Sequence, residues 1–316
     1  GCALAMRNEV PPCLAAMSAI AIGAGAPGIV YASQVYPEAP AALALAGALL
    51  LATGRRPRAP AMAAVLVIVA WLGVKYVPAA AVVAGAWMWR FRDQRRSLAT
   101  FAAIATMAAI HFAWWHVRTF GGLTPYGTNV VWAGEGTSSI LADHFDIVGR
   151  TYRLYGLFID ERFGLFRWLP LAMVGVLGIS RRVALYAAIV LVAVLMASFA
   201  SITIMGWWFP GRLLVAALPA FVVLVGLGAR KVPKVAAALA VWSLAVGAAV
   251  AWSATHGGIR LAVDPFTLGF PLPPAWAFPD FRRFAWLEVT LTLLWLLAGC
   301  VALLAVHRPL RRVGHR

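Results

Sequence analysis

Long charge-free stretches alternate with short charged ones along the whole chain. Ten stretches carry no Asp, Glu, Lys or Arg: 10–37, 39–54, 59–74, 76–89, 97–117, 168–180, 183–211, 213–229, 235–259 and 289–307. Crossing a bilayer as a helix takes roughly 20 apolar residues, with a usual range of about 17–25. The longer runs reach or exceed that range. The shorter ones, 39–54, 59–74, 76–89 and 168–180, end at Lys, Arg or Glu side chains that can belong to a helix while snorkelling to the interface. The pattern predicts an all-α, polytopic transmembrane helix bundle of about ten spans, with residues 1–316 as a single membrane domain.

Composition strengthens this reading. Hydrophobic residues make up 63% of the chain, charged ones 12%, and the mean hydropathy is +0.84, too apolar for a surface that must be wetted. The net charge of +16 raises the question of nucleic acid, and the distribution of the charges excludes it. Arg55, Arg56 and Arg58 share one connection, Arg90, Arg92, Arg95 and Arg96 a later one, then come Arg181 and Arg182, then Arg230, Lys231 and Lys234, then a basic tail at 307–316. Alternate connections are basic. With Arg7, that side carries 17 Lys or Arg against two acids, and the other side 10 against nine. By the positive-inside rule the basic side is cytoplasmic and holds both ends of the sequence. The expected location is a bacterial cytoplasmic membrane, multi-pass, with an extracytoplasmic active face. Cys2, Cys13 and Cys300 are dispersed, so neither a disulfide framework nor a metal site is indicated.

On the outer side the expected connections are 32–38, a turn at 74–78, the long segment 118–167, the short Gly206–Arg212 and the Pro-rich loop 256–285. Trp114, Trp115, Trp207, Trp208, Trp276 and Trp286 fall near these boundaries, as an interfacial aromatic belt does. Trp87 and Trp89 mark the opposite face. Within 118–167, Leu141, Phe145, Val148, Tyr152, Tyr155 and Phe158 recur at helical spacing, with Asp143, Asp146, Arg150 and Arg153 between them. This predicts an interfacial helix on the membrane or an extracytoplasmic helix packed on the spans. Asp264–Pro279 reads as an extended lid.

Four places carry candidate chemistry. Glu38, after Tyr36-Pro37, is an acid at membrane depth: a functional group, or a helix-start acid favoured by the dipole. Lys75, before Tyr76, is a phosphate-holding point charge or a snorkelling anchor. Asp160-Glu161-Arg162-Phe163-Gly164 marks the return to the membrane. In Trp207-Trp208-Phe209-Pro210-Gly211-Arg212, Arg212 opens a helix against its dipole and needs a compensating anion, either a ligand or a structural acid. Asp143, His144 and Asp146 are metal-ligand types without a spacing signature, so no cofactor is certain and a divalent metal stays possible. His111 is expected to be hydrogen-bonded in the core. Glu38, Lys75, Arg162 and Arg212 all fall on the outer face. One carboxylate among several cations suits transfer from a lipid phosphate, the base taking a proton and the cations stabilising the leaving phosphate.

These segments resemble polytopic bacterial glycosyltransferases of the GT-C class. Tyr31-Ala32-Ser33-Gln34-Val35-Tyr36-Pro37-Glu38 is similar to their acid-bearing segment, and Leu72-Gly73-Val74-Lys75-Tyr76 to their Lys-Tyr turn. Asp160-Glu161-Arg162-Phe163-Gly164 is similar to their Asp-x-Arg-Phe-Gly motif, and Trp207-Trp208-Phe209-Pro210-Gly211-Arg212 to their Trp-rich, Pro-x-Arg segment, all in the same order over residues 25–230. The resemblance implies sugar transfer from a polyprenyl-phosphate donor to a glycan, lipid or protein acceptor. On the constellation of charges Glu38 is expected to be the catalytic acid or base, with Lys75, Arg162 and Arg212 at the donor phosphate and Tyr36, Tyr76, Asp160, Trp207 and Trp208 in the substrate cleft. The class's usual catalytic acid lies in its first outer loop, near the N-terminus; no Asp-rich loop stands before residue 13, so either a further upstream span and acidic loop are expected or the chain lacks that base. The alternatives are a transporter or lipid-glycan flippase, which would show duplicated halves with broken helices at mid-membrane, or a catalytically inactive GT-C-like protein.

Overall fold

The computed structural model describes residues 1–123, 146–201, 204–206, 208–261, 264–283 and 285–307. Among these, every regular element is helical: α1 (Cys2–Arg7), α2 (Pro12–Gly23), α3 (Ala26–Ser33), α4 (Glu38–Ala52), α5 (Ala59–Leu72), α6 (Val77–Arg90), α7 (Arg95–Phe120), α8 (Ile147–Arg150), α9 (Arg153–Ile159), α10 (Leu165–Trp168), α11 (Ala184–Leu195), α12 (Leu218–Lys231), α13 (Pro233–Thr255) and α14 (Trp286–His307). A 3-10 helix, Pro170–Gly178, stands between α10 and α11, a π-turn, Met196–Ala200, extends α11, and a second 3-10 stretch, Arg212–Ala217, leads into α12. Proline in the first turn of α2, α3, α5, α6, α12 and α13 sets where these helices begin, because an N–H is dispensable there and φ is already helical.

Each of the ten charge-free runs coincides with a helical element. Among the described residues five helices are long and apolar enough to cross a membrane: Arg95–Phe120, Arg181–Ala200, Arg212–Lys231, Pro233–Thr255 and Trp286–Leu304. A sixth results if α2 and α3, bent by 59° at their junction, count as one span. Pro27, in the first turn of α3, breaks the helix here, and the junction is tightly packed. A Cβ at Gly25 would stand 2.5 Å from the Leu169 side chain and 2.6 Å from the Ala21 carbonyl, so only glycine fits where Leu169 packs on the junction.

The centre of the bundle is the Arg212–Lys231 segment, which is mostly buried. The 3-10 helix Pro170–Gly178 lies against it with backbone nearly touching backbone. A Cβ at Gly178 would fall 1.9 Å from the Leu224 carbonyl oxygen, and one at Gly228 2.1 Å from that of Val174. Small residues permit such approach where apolar helices pack without water. By contrast α7 and α14 are peripheral and expose Met107, Ile110, Leu293 and Leu297 among others, a surface suited to lipid.

The connections separate to two ends. At the basic end the Arg7 guanidinium donates to the Leu50 carbonyl (2.7 Å), Arg230 to that of Glu9 (3.1 Å) and Lys231 to that of Leu177 (2.7 Å), while Asn8 donates to the Tyr186 hydroxyl (2.9 Å). Trp89 is exposed, but Trp87 is fully buried against Phe91 and Phe101 rather than marking an interface. The opposite end holds the turns at 34–38, 73–76 and 208–212. There the Pro-rich loop is strapped down: Glu161 N–H donates to the Pro279 carbonyl, Arg167 Nε to that of Pro273, Trp242 Nε1 to that of Pro271 and Trp295 Nε1 to that of Ala277.

The helix expected around 141–158 takes another form in its described part. It is broken between Arg150 and Arg153, Val148 is exposed, and Arg150 is buried. The two arginines of the polar stripe turn inward and cap the end of the α11 π-turn. Arg150 donates to the carbonyls of Phe199 and Ser201, and Arg153 to those of Ser198 and Ser201, where the helix dipole favours cations. Leu141, Asp143, His144, Phe145, Trp207 and the tail beyond His307 lie outside the described residues.

Candidate functional site

The site begins with Glu38, the first residue of α4 and wholly buried. Proline at position 37 ends the preceding turn and directs the carboxylate inward. Oε1 of Glu38 accepts a hydrogen bond from Lys75 Nζ at 2.8 Å and another from Arg212 Nε at 2.8 Å. Oε2 is buried without a hydrogen-bond partner among the described residues. A lone carboxylate in such a place is strongly disfavoured, and two charge-assisted hydrogen bonds offset that cost. Two cations on one carboxylate leave the cluster with one positive charge in excess.

Each cation is also held by an aromatic face. The Arg212 guanidinium lies 4.3 Å from the Tyr36 ring centroid and 5.5 Å from that of Trp208, and the Lys75 amine 5.0 Å from that of Tyr76. The turn delivering Arg212 needs Gly211, whose φ of +80° is left-handed and whose Cβ would stand 3.1 Å from Pro27. Tyr31, fully buried, donates its hydroxyl to the Phe209 carbonyl at 2.6 Å and so ties α3 to the same turn. Tyr36, Tyr76 and Trp208, expected in the cleft, thus contact the two cations. Trp207 lies outside the described residues.

Arg162 does not join them. Asp160, buried at the end of α9, accepts from the backbone N–H groups of Arg162 (2.8 Å) and Phe163 (2.7 Å) through Oδ1 and from that of Phe281 (3.3 Å) through Oδ2. This turn sends the Arg162 side chain to the Pro-rich loop, 5.3 Å from the Phe266 ring centroid. Asp160 is therefore the clamp between the 160–164 turn and that loop. Burial pushes its carboxyl above the usual range despite the three N–H donors. Asp280 is the reverse case: burial opposes its ionisation, but the hydrogen bonds from Arg282 and the charges of Arg282 and Arg283 outweigh it and hold the carboxyl low. Neither the Asp160 clamp nor the arginine cap on α11 carries a sequence signal beyond Asp-x-Arg and an i,i+3 pair of arginines.

One space adjoins the cluster and a second reaches the chain next to it. A cavity of about 30 Å³ is lined by Lys75, Tyr76, Leu45, Met196, Ser201 and Ala216. On the other side of the 74–77 turn, an apolar groove of about 410 Å³ runs between α5, α6 and α7, with Val74 and Val77 at its end and Phe101 and Ala63 along its length. Val74 is the chain neighbour of Lys75.

Among the described residues no group of three or more His, Cys, Asp and Glu could hold a metal. Asp146, expected as a possible ligand, caps α8 by accepting from Gly149 N–H at 2.7 Å. His111 is exposed and stacks on Trp114, so it is not the core histidine expected; His116 is buried instead. Comparison with models of protein families, with curated proteins and with solved structures found no match.

Proposed function

We propose that this chain is a GT-C-type membrane glycosyltransferase, crossing a bacterial cytoplasmic membrane about ten times. In this reading it binds a polyprenyl-phosphate sugar on the extracytoplasmic face, at the Lys75, Glu38 and Arg212 cluster, and transfers the sugar to a glycan, lipid or protein acceptor. The observation that carries the reading is the pair of cations on one oxygen of a buried carboxylate. Its excess positive charge lies one residue from the end of a groove of apolar character, as an anion with a long hydrocarbon tail requires.

In the reaction, the acceptor hydroxyl attacks the anomeric carbon while the carbon–oxygen bond to phosphate breaks, and the phosphate departs with the electron pair. Lys75 and Arg212 stabilise that charge as it develops. Glu38 Oε2, the oxygen that neither cation occupies, takes the hydroxyl proton.

The test uses the full chain in proteoliposomes carrying radiolabelled polyprenyl-phosphate mannose, glucose or arabinose with extracted envelope acceptors. Sugar appearing on acceptor with release of polyprenyl phosphate supports the proposal. Intact donor moved between leaflets would make the protein a flippase, and donor bound with neither outcome would make it an inactive relative; either overturns the reading.

A further inference from the structure

A second and larger groove lies on the far side of the bundle, away from Glu38. It measures about 620 Å³ and separates α14 from α13 and the 3-10 helix, with Val174, Leu177, Leu239, Leu296, Leu303 and Phe158 on its walls. Nearer the opposite end α14 is fixed to the protein, since Trp295 donates to the Ala277 carbonyl at 2.8 Å and stacks on Phe278 at 5.1 Å. From Trp295 to Leu303 it instead lines open space, over about 12 Å at 1.5 Å per residue. That length is close to one leaflet, half of a hydrocarbon core about 30 Å thick.

The charge at its mouth selects the occupant. Leu177 and Val232 line the basic end of the groove, and the Lys231 amine sits there, donating to the Leu177 carbonyl at 2.7 Å. Lys234 stands beside Val235, another lining residue, and both lysines are exposed. Among the described residues neither pairs with a carboxylate. We propose that this groove holds an anionic phospholipid of the leaflet at the basic end, its acyl chains between α14 and α13 and its phosphate between Lys231 and Lys234. Such a lipid fills the space between α14 and α13. The site is independent of the Glu38 cluster and of what that cluster does.

The full chain, extracted in mild detergent, is examined by native mass spectrometry after exchange into micelles containing phosphatidylglycerol or phosphatidylcholine. Juxtamembrane lysines contribute about 1 kcal/mol each toward anionic lipid, so wild type should retain one phosphatidylglycerol at least fivefold more strongly than phosphatidylcholine. The double variant Lys231→Glu, Lys234→Glu should lose that preference. Gly299→Trp puts an indole where a Cβ meets nothing within 4 Å and should abolish retention of both lipids at an unchanged thermal transition. Equal retention by all three proteins would overturn the proposal. So would a dimer that Gly299→Trp dissociates, since a second copy would then fill the groove. If Gly299→Trp fails to fold, the lysine variant decides alone: an unchanged preference refutes the site.

Discussion

Replacing Glu38 with Gln keeps the shape of the side chain and removes the charge that holds two cations together. Lys75 Nζ and Arg212 Nε each lie 2.8 Å from the same oxygen, so they are at most about 5.6 Å apart. At an effective dielectric of about 20 two unit charges at that distance repel by about 3 kcal/mol. Breaking a buried pair by deleting one partner costs about 3–5 kcal/mol. The cations retain some exposure, 29% for Lys75 and 20% for Arg212, which favours the lower figure. With an unfolding entropy of about 2.1 cal/mol/K per residue, 3 kcal/mol in a chain of this length lowers the thermal midpoint by roughly 4–5 °C. Differential scanning fluorimetry in detergent should show that fall for Glu38→Gln. Adding Lys75→Met to Glu38→Gln should recover most of it, because one cation no longer faces another. If Glu38→Gln melts with wild type, the ion-pair cluster does not organise this end of the protein and the electrostatic argument fails.

Four further outcomes follow from the same geometry. Lys75→Ala and Arg212→Ala each remove a charged hydrogen-bond donor worth about 1.5–3 kcal/mol, so donor-lipid affinity should fall roughly ten- to a hundredfold in a filter-binding assay at unchanged expression. Arg212→Lys keeps the charge but loses the planar stacking on Tyr36 and Trp208, and should bind several-fold more weakly than wild type. Gly228→Ala forces a methyl into the Val174 carbonyl and should destabilise by at least 1–3 kcal/mol, read as a loss of monodisperse protein in size-exclusion chromatography. Asp280, whose carboxyl is held low, contributes stability that is complete above its unfolded pKa of about 3.9 and declines as pH falls through the lower folded value. Limited pepsin proteolysis of the 264–283 loop should therefore accelerate below about pH 4, and Asp280→Asn should show the fast cleavage already at pH 5.

The fold was legible to the extent that lipid-suited segments announce themselves by lacking charge. All ten runs coincide with helical elements, but their lengths in space were not readable. Residues 170–178 form a 3-10 helix whose Gly178 meets the Leu224 carbonyl as Gly228 meets that of Val174, and 10–37 bends beside the contact of Gly25 with Leu169. Those contacts join residues far apart in the chain. The cluster of Glu38, Lys75 and Arg212 was legible because each opens or closes a helix at the same end of the bundle, so topology alone brings them near. Arg162 shares that end, yet its direction is set by the hydrogen bonds that Asp160 accepts, which no periodicity records. The arginines of α8 and α9 were not legible for a related reason: Tyr152 and Phe158 pack on the core as the apolar stripe predicts, but the carbonyls at the end of α11 that draw Arg150 and Arg153 inward lie some 50 residues away.

The central claim is that Lys75 and Arg212 hold the phosphate of a lipid donor with Glu38 as their counter-ion. A photoreactive polyprenyl-phosphate sugar, cross-linked to the purified chain and mapped by peptide mass spectrometry, tests it most directly. The label should fall on the 71–84 or 101–112 segments lining the groove beside Lys75, should drop at least tenfold in Lys75→Ala and Arg212→Ala, and should persist in Glu38→Gln, where two unpaired cations remain for the phosphate. Labelling that is indifferent to all three substitutions, or confined to other helices, would contradict the account.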